Sequence, residues 1–424
     1  MNDSGQPKVA VIGGGAAGMA AAIAAAGRGA DVTVYEPNRM LGRKLRITGK
    51  GRCNVTNNCA PEEFLKNVTH GQKFMYGPIY KFTPEDTIAL FTGMGVELKT
   101  ERGRRVFPVS DNANDIADAL AKRMSEYGVR TVRRAVKGII IEENKSRGVI
   151  TGEKSEEKRE HYDAVIVATG GMSYPLTGST GDGYKFARSA GMKVTALKPS
   201  LVPIVTCEDT SSLMGLSLRN VTLNVTDKNG KKVFSELGEM LFTHFGLSGP
   251  LVLSASAHMQ DRPVGEYVMS IDMKPALDEA TLDKRLISDL SKYSAKDFVN
   301  SLSDLLPSKM IPYIVSRTKI DAHKRSGEIT KEERRTLLSH LKGLTFRPKS
   351  FRGIEEAIVT CGGVDLSGID PRTMMSKTTA GLYFAGEVID ADAYTGGYNL
   401  QIAFATGMLA GESAAEYGYS TAEQ

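Results

Sequence analysis

Cysteine is scarce in this chain. Only Cys53, Cys59, Cys207 and Cys361 occur in 424 residues, and no two form a CxxC pair. That spacing excludes a disulfide framework and fits a reducing, cytoplasmic compartment. Histidine is nearly as rare, at six residues, and no HExxH motif accompanies it. No metal site is therefore expected. No GxSxG nucleophile elbow is present either. Charge of one sign is also lacking: 54 Lys and Arg against 49 Asp and Glu leave a formal net charge of +5. That balance permits attraction to phosphates without arguing for nucleic acid. The amino-terminal MNDSGQPK has neither the basic start nor the cleavage site of a signal peptide. Only residues 9–26 form a long apolar run, and their many Ala and Gly residues argue against a membrane span.

What is present is a soluble globular composition, 41% hydrophobic and 24% charged, on a chain long enough for two or three domains. Residues 9–12, VAVI, read as a buried parallel strand, and GGGAAG at 13–18 follows as a turn. Residues 16–26 read as an Ala-rich helix stopped by Gly27 and Gly29, and 30–36, ADVTVYE, as a second strand. This is a β-α-β unit. TPED at 83–86 is a helix start, with a capping Thr and Pro in the first turn. Residues 129–141 read as strand, 147–162 as a charged hairpin or loop, and 163–171 as a buried strand entering a Gly turn. Residues 200–275 alternate as strands do, with a turn signal at 228–230. Residues 278–343 are helical, with Leu282, Leu286 and Leu290, then Phe298, Leu302 and Leu305, at helical spacing. The buried-strand pattern returns at 382–386, and a helix over about 399–417 closes the chain.

The expected class is α/β: a Rossmann-type domain with a mostly parallel sheet, interrupted by an inserted β-rich and helical region. The expected boundaries are 1–198 and 355–424 for the dinucleotide-binding domain, 199–277 and 344–354 for the β-rich insert, and 278–343 for the helical one.

Gly13, Gly15 and Gly18 match G-x-G-x-x-G between a strand and a helix, and Glu36 ends the next strand. Gly13 allows the tight turn, Gly15 lets a pyrophosphate approach the backbone, and Gly18 lets the helix lie close to the strand. The helix amino terminus offers N–H groups to the phosphates. Glu36 can accept hydrogen bonds from ribose hydroxyls and repels a 2′-phosphate. NAD and FAD both remain open on these grounds.

Longer motifs favour FAD. LGRKLRITGKGRCN at 41–54, VIVATGG at 165–171, GLYFAGE at 381–387 and TGGYNLQIA at 395–403 resemble the BaiN-like (YhiN-type) family of FAD-binding, NAD(P)-linked oxidoreductases. The resemblance covers essentially the whole chain. STGDG at 179–183 also resembles the wider fumarate reductase and aspartate oxidase group. The resemblance implies an adenosine and pyrophosphate site at Gly13, Gly15, Ala17, Gly18 and Glu36, with Arg43 and Lys44 beside the phosphates or ribityl chain. It implies that Val136 meets the adenine through its backbone and that Thr169 and Gly170 line the cofactor. Gly386 and Glu387 would flank the ribityl chain, although many flavoproteins carry Asp where Glu387 stands. Asn399, Leu400 and Gln401 would lie at the flavin pyrimidine edge, where a helix amino terminus stabilises the negative charge of reduced flavin.

The flavin performs the redox step, so the protein must supply a proton donor and a group to hold developing negative charge. Lys50, Arg52, His244, Tyr394 and Tyr398 are the candidates. His244 lies in the distinctive EMLFTHFGLSGP at 239–250, in the insert. Cys53 and Cys59 are separated by five residues, against four in a disulfide reductase pair. A shared disulfide, or one packed thiol near the flavin and one incidental thiol, are both compatible with that. No second G-x-G-x-x-G occurs, so NADH or NADPH would bind transiently. The leading expectation is a reductase passing hydride from NAD(P)H through FAD to an unsaturated, enone-like small molecule. An oxidase or dehydrogenase of an amine or alcohol is a second. A flavoprotein binding RNA through the basic insert is a third, weakened by the few aromatics among that insert's cations.

Overall fold

The computed structural model describes residues 5–152 and 157–422. The chain divides into two compact units, residues 1–200 with 357–424, and residues 201–356.

The first unit is built on a five-stranded parallel sheet. Its spatial order is Leu382–Phe384, Ala164–Val167, Lys8–Ile12, Asp31–Tyr35, Arg130–Val132. Numbered along the chain these strands run 5-4-1-2-3, the doubly-wound order, in which ligands bind where the winding direction reverses. That switch lies between Lys8–Ile12 and Ala164–Val167, whose carboxyl ends feed the turns at Gly13 and Thr169. Val9, Val11, Val165 and Ile166 are fully buried, as the central strands of a covered parallel sheet require.

The Ala-rich stretch is a helix, Ala16–Gly27. Its small residues are explained by the closing helix, Tyr398–Ala422, which lies against it. A β-carbon at Gly407 would come within 2.4 Å of the Ala17 carbonyl oxygen, and one at Gly411 within 2.2 Å of that of Ala21. Backbone-to-backbone packing of this kind is open only to Gly and Ala stripes. Among the described residues no helix is long and apolar enough to cross a membrane.

Thr83 caps the helix Pro84–Gly93 through a full capping box with Asp86. Three antiparallel strands, Val136–Glu142, Lys145–Thr151 and Lys158–His161, form a separate small sheet. The charged stretch read as hairpin or loop is thus strand over much of its length. Its exposed face carries Lys, Arg and Glu, which mask the alternation, and residues 153–156 lie outside the described residues.

Among the described residues the second unit holds a seven-stranded antiparallel sheet and five α-helices, Pro250–Ala257, Glu279–Lys292, Phe298–Ser301, Met310–Thr318 and Lys331–Lys342. Its long hairpin joins Ser217–Asp227 to Lys232–Phe242 through the Lys228–Gly230 turn. Leu282, Leu286 and Leu290 point into one apolar core with Phe298, Leu302 and Leu305.

Candidate active site

At the switch point the three fingerprint glycines meet different surroundings. Gly13 sits at φ +107°, and a β-carbon there would lie 2.5 Å from the Ala168 carbonyl oxygen. A β-carbon at Gly18 would lie 1.9 Å from the carbonyl oxygen of Gly13. Those two positions are closed by the protein itself. At Gly15 no atom would lie within 4 Å, and the residue is the amino-terminal cap of the helix. The turn therefore presents open space in front of helix N–H groups, the arrangement a pyrophosphate needs.

Glu36 fixes this turn. Its carboxylate accepts from the Gly14 N–H at 2.9 Å and from the Asn38 N–H and side-chain amide at 2.9 and 2.7 Å. Asn38 in turn accepts from the exposed Arg43 guanidinium at 2.6 Å. Ala17 meets Gly386, where a β-carbon would approach within 2.7 Å of the Ala17 methyl.

Lys44 and Glu387, far apart in sequence, are ion-paired at 2.5 Å. Glu387 also accepts from the Ser173 hydroxyl at 2.7 Å and the Thr360 N–H at 2.9 Å. Burial alone would raise the Glu387 carboxyl; the Lys44 ammonium and these hydrogen bonds outweigh it and hold the group below the usual range. The Gly170 turn, at φ +72°, lies beside Ser179. Val136 is buried at the start of its strand.

Two buried polar atoms in these motifs have no hydrogen-bond partner, the Asn54 side-chain oxygen and the Thr169 hydroxyl. A buried group left unpaired costs about 1–3 kcal/mol, and each of these could pair with a cofactor held by its motif. The loop carrying Asn54 is itself strained. Lys50 and Cys53 adopt left-handed backbones at φ +59°, alongside Gly49 at +56° and Gly51 at +83°. Such strain clusters at functional sites.

The other expected residues separate. Lys50 is exposed on that loop. Arg52 is taken up by ion pairs to Glu101 at 2.5 Å and Asp111 at 2.6 Å, over the Phe107 ring. Asn399 binds back to the loop before its helix, with its oxygen on the Ala393 N–H at 2.9 Å and its amide on the Ala393 carbonyl at 2.7 Å. Gln401 is fully buried and accepts from Thr56 and Thr87, each at 2.7 Å, while donating to the Phe82 carbonyl at 3.0 Å. Its side chain therefore anchors the helix rather than facing a ligand. Leu400 is half-buried against the core of the first unit. His244 belongs to the second unit, exposed, with its ring edge-on to Phe245.

Cys53 and Cys59 are buried and unbridged. Burial pushes the Cys53 thiol up to about 12, and burial with the nearby Glu63 pushes Cys59 up to about 11. Both are neutral thiols at neutral pH, unlike redox-active cysteines.

One cluster has no counterpart in the sequence motifs. The short strand Asp392–Ala393 pairs antiparallel with Val68–His70. His70 Nδ1 lies 2.5 Å from Asp392 Oδ1, and the other Asp392 oxygen accepts from the Ser200 hydroxyl at 2.7 Å. The Cys361 sulfur rests 3.6 and 3.9 Å from the two ring nitrogens. His70 lies about 300 residues from Cys361 and Asp392, so only the fold brings them together.

Comparison with solved structures gives the fold. The chain resembles a flavocytochrome c3 fumarate reductase at TM-score 0.50 and 19% identity, covering 98% of this chain and 79% of that one. It resembles the 3-ketosteroid Δ1-dehydrogenase of Sterolibacterium denitrificans at TM-score 0.53 and 13% identity, covering 97% and 100%. The doubly-wound sheet, the glycine cradle and its glutamate define a dinucleotide-binding domain, and with the family and relatives that match it the chain is an FAD-dependent oxidoreductase. The model of the HI0933-like protein Rossmann domain matches residues 7–413, and the chain belongs to that family. A 3-dehydro-bile acid Δ(4,6)-reductase of Clostridium scindens is 30% identical over 96% of this chain and 99% of its own length. A ribosomal RNA dihydrouridine synthase of Haemophilus influenzae is 31% identical over 93% and 95%. The resemblance carried by residues 41–54, 165–171 and 381–403 is thereby borne out.

Proposed function

We propose that this enzyme adds hydrogen across a carbon–carbon double bond conjugated to a carbonyl, with NADH or NADPH as the electron source. One observation carries the reading: near-full-length similarity to two proteins whose names describe such a reduction, one on a steroid nucleus and one on a uracil ring. A ring enone and the C5–C6 bond of uracil share one electronic demand. Hydride goes to the carbon distant from the carbonyl, and a proton goes to the carbon beside it.

Within that reading, Gly13, Gly15 and Gly18 with the following helix receive the pyrophosphate, and Glu36 the adenosine ribose. Ala17 and Gly386 form the floor under the linker. Lys44, ion-paired to Glu387, stands beside the ribityl region. Arg43 stands at the phosphate rim, Val136 at the adenine, and Thr169 with Gly170 along the cofactor. The start of the closing helix at Asn399 and Leu400 faces the pyrimidine edge with N–H groups that the helix itself cannot satisfy. FAD, when bound, supplies two-electron transfer.

A small-molecule enone is the first substrate class. RNA is the second, favoured by the dihydrouridine synthase relative. The test is anaerobic: record the flavin band, bleach it with NADH or NADPH, then add a 3-oxo-4-ene steroid or a uridine-containing rRNA fragment. Return of the flavin band with one acceptor supports the reading and selects the class. Bleaching by neither nicotinamide, with peroxide released from an amine or alcohol in air, overturns it in favour of an oxidase.

A further inference from the structure

We infer that His70 is the proton donor of this active site, with Asp392 as its positioning residue and Cys361 setting the face of the ring. The inference rests on the reduction proposed above for its chemistry, and on the structure for its geometry.

Asp392 and Ala393 lead directly into the closing helix, and Ala393 is tied to Asn399 in its first turn at 2.9 and 2.7 Å. His70 pairs with that strand. On the other side, Cys361 follows Thr360, whose hydroxyl accepts from the Met172 and Ser173 N–H groups at 2.8 and 3.2 Å. The Thr360 N–H reaches Glu387. The cluster therefore stands between the two stretches assigned to the cofactor, at the end where the helix begins.

Asp392 is buried, and both its oxygens are engaged, one by Ser200 and one by His70 Nδ1. Nδ1 faces the carboxylate and Nε2 lies 3.9 Å from the soft Cys361 sulfur, a weak partner, so Nε2 is the nitrogen assigned to give the proton; the His70 side chain is 31% exposed. A carboxylate behind an imidazole holds one ring orientation and favours the charged form. The hydrogen bonds to Asp392 and then Cys361 outweigh burial and push His70 up to about 10. Exposed Lys198 stands opposite Cys361 in the strand pair Lys198–Ser200 with Val359–Cys361, and the closing helix that packs on Asp392–Ala393 carries Glu412 and Glu416 near its far end. Nitrogen, sulfur and oxygen donors here lie within 4.8 Å of one another, as metal ligands can. The contact between Nδ1 and the carboxylate is a hydrogen bond of 2.5 Å.

FAD, when bound and reduced by the nicotinamide donor, would supply the hydride that forms the new C–H bond at the carbon β to the carbonyl. The π electrons move toward the carbonyl. The Nε2–H bond of His70 breaks as its proton passes to the α carbon, and water restores the proton to the ring.

The experiment uses the holoenzyme with wild type, His70→Gln and Asp392→Asn in parallel. Three quantities are read: flavin content with anaerobic bleaching by NADH or NADPH, reoxidation by a 3-oxo-4-ene steroid or a uridine-containing rRNA fragment, and the histidine ring titration by NMR. His70→Gln is expected to keep its flavin and its bleaching rate and to lose roughly 10²–10⁴-fold in reoxidation. Asp392→Asn is expected to bring the His70 titration back toward the ordinary range near pH 6.5. Reoxidation of His70→Gln at the wild-type rate overturns the assignment, as does a wild-type His70 ring that is neutral at pH 7. Wild-type enzyme that bleaches but is reoxidised by neither probe counts against the conjugated-carbonyl substrate instead. The ring titration then decides the state of His70 by itself.

Discussion

Gly15→Val separates a glycine needed by the ligand from glycines needed by the fold. Gly15 has φ −82° and ψ −170°, an extended conformation that a β-branched residue adopts without strain. No atom lies within 4 Å of the position its β-carbon would take. Replacing Gly at a helix cap by an apolar residue costs up to about 1 kcal/mol, so the apo-protein should melt within a few degrees of wild type. Bound FAD should stabilise the wild type by about 2.7 kcal/mol at 100 times its dissociation constant. If valine weakens binding about 100-fold, the same FAD concentration stabilises the variant by only about 0.4 kcal/mol. Gly18→Val provides the contrast. Its β-carbon would fall 1.9 Å from a backbone oxygen, so the apo-protein itself should fail. The assay is thermal melting against FAD concentration, with flavin absorbance after desalting. An equal FAD-induced shift in Gly15→Val and wild type would refute the cradle assignment. Collapse of apo Gly15→Val would show that Gly15 is a packing residue.

Three other expectations follow from the same geometry. Lys44→Met should cost about 2–3 kcal/mol in denaturant titrations at pH 7, because it strands a largely buried Glu387; the side chains are 24% and 18% exposed, which keeps the figure at or below the low end for buried pairs. The wild-type Glu387 carboxyl is held low, so its contribution is present above the unfolded value near 4.3 and is lost as pH falls through the folded one; this part of the gap between wild type and variant should be intact at pH 5 and narrow only below about pH 4.3. His70 is shifted the other way. The stability it contributes is complete below about pH 6.5, declines as pH rises through about 10, and should vanish from the pH profile of Asp392→Asn. Gly411→Leu should destabilise the first unit by about 1–3 kcal/mol or more, read in the apo-protein, because the closing helix cannot move away from Ala21 without breaking its seam.

The parts of the fold that could be read from sequence are those in which neighbours along the chain carry the information. The run VAVI, the glycine turn and the Ala-rich helix form one local unit, and the cap at Thr83 and the turn at 228–230 are short-range chemistry. Arg52 and Gln401 mark the limit. Both sit in motifs that point to a ligand, yet Arg52 is drawn to Glu101 and Asp111 across a surface ladder and Gln401 to Thr56 and Thr87 in the core. Residue type and spacing do not say which of several polar partners a side chain will find. Nor do they show that Gly407 and Gly411 bear on Ala17 and Ala21, since the seam joins opposite ends of the chain.

The acid cluster escapes sequence reading for a sharper reason. It is carried by two ladders of two or three residues, Val68–His70 with Asp392–Ala393 and Lys198–Ser200 with Val359–Cys361. Segments so short have no periodicity, and burial of a His, an Asp or a Cys leaves no hydrophobic signature. The hydrogen bond from Ser200 to Asp392 joins the two ladders. The second ladder also closes the first unit at the points where the chain departs for residues 201–356 and returns. One pair of strands thus both seals the insertion point and delivers the sulfur and hydroxyl that surround the His70–Asp392 pair. Placing the acid on these ladders fixes it by backbone pairing to the start of the closing helix. A proton donor must keep a constant distance from the atom it serves, and a strand tied to that helix gives a firmer mount than the exposed loop of Lys50.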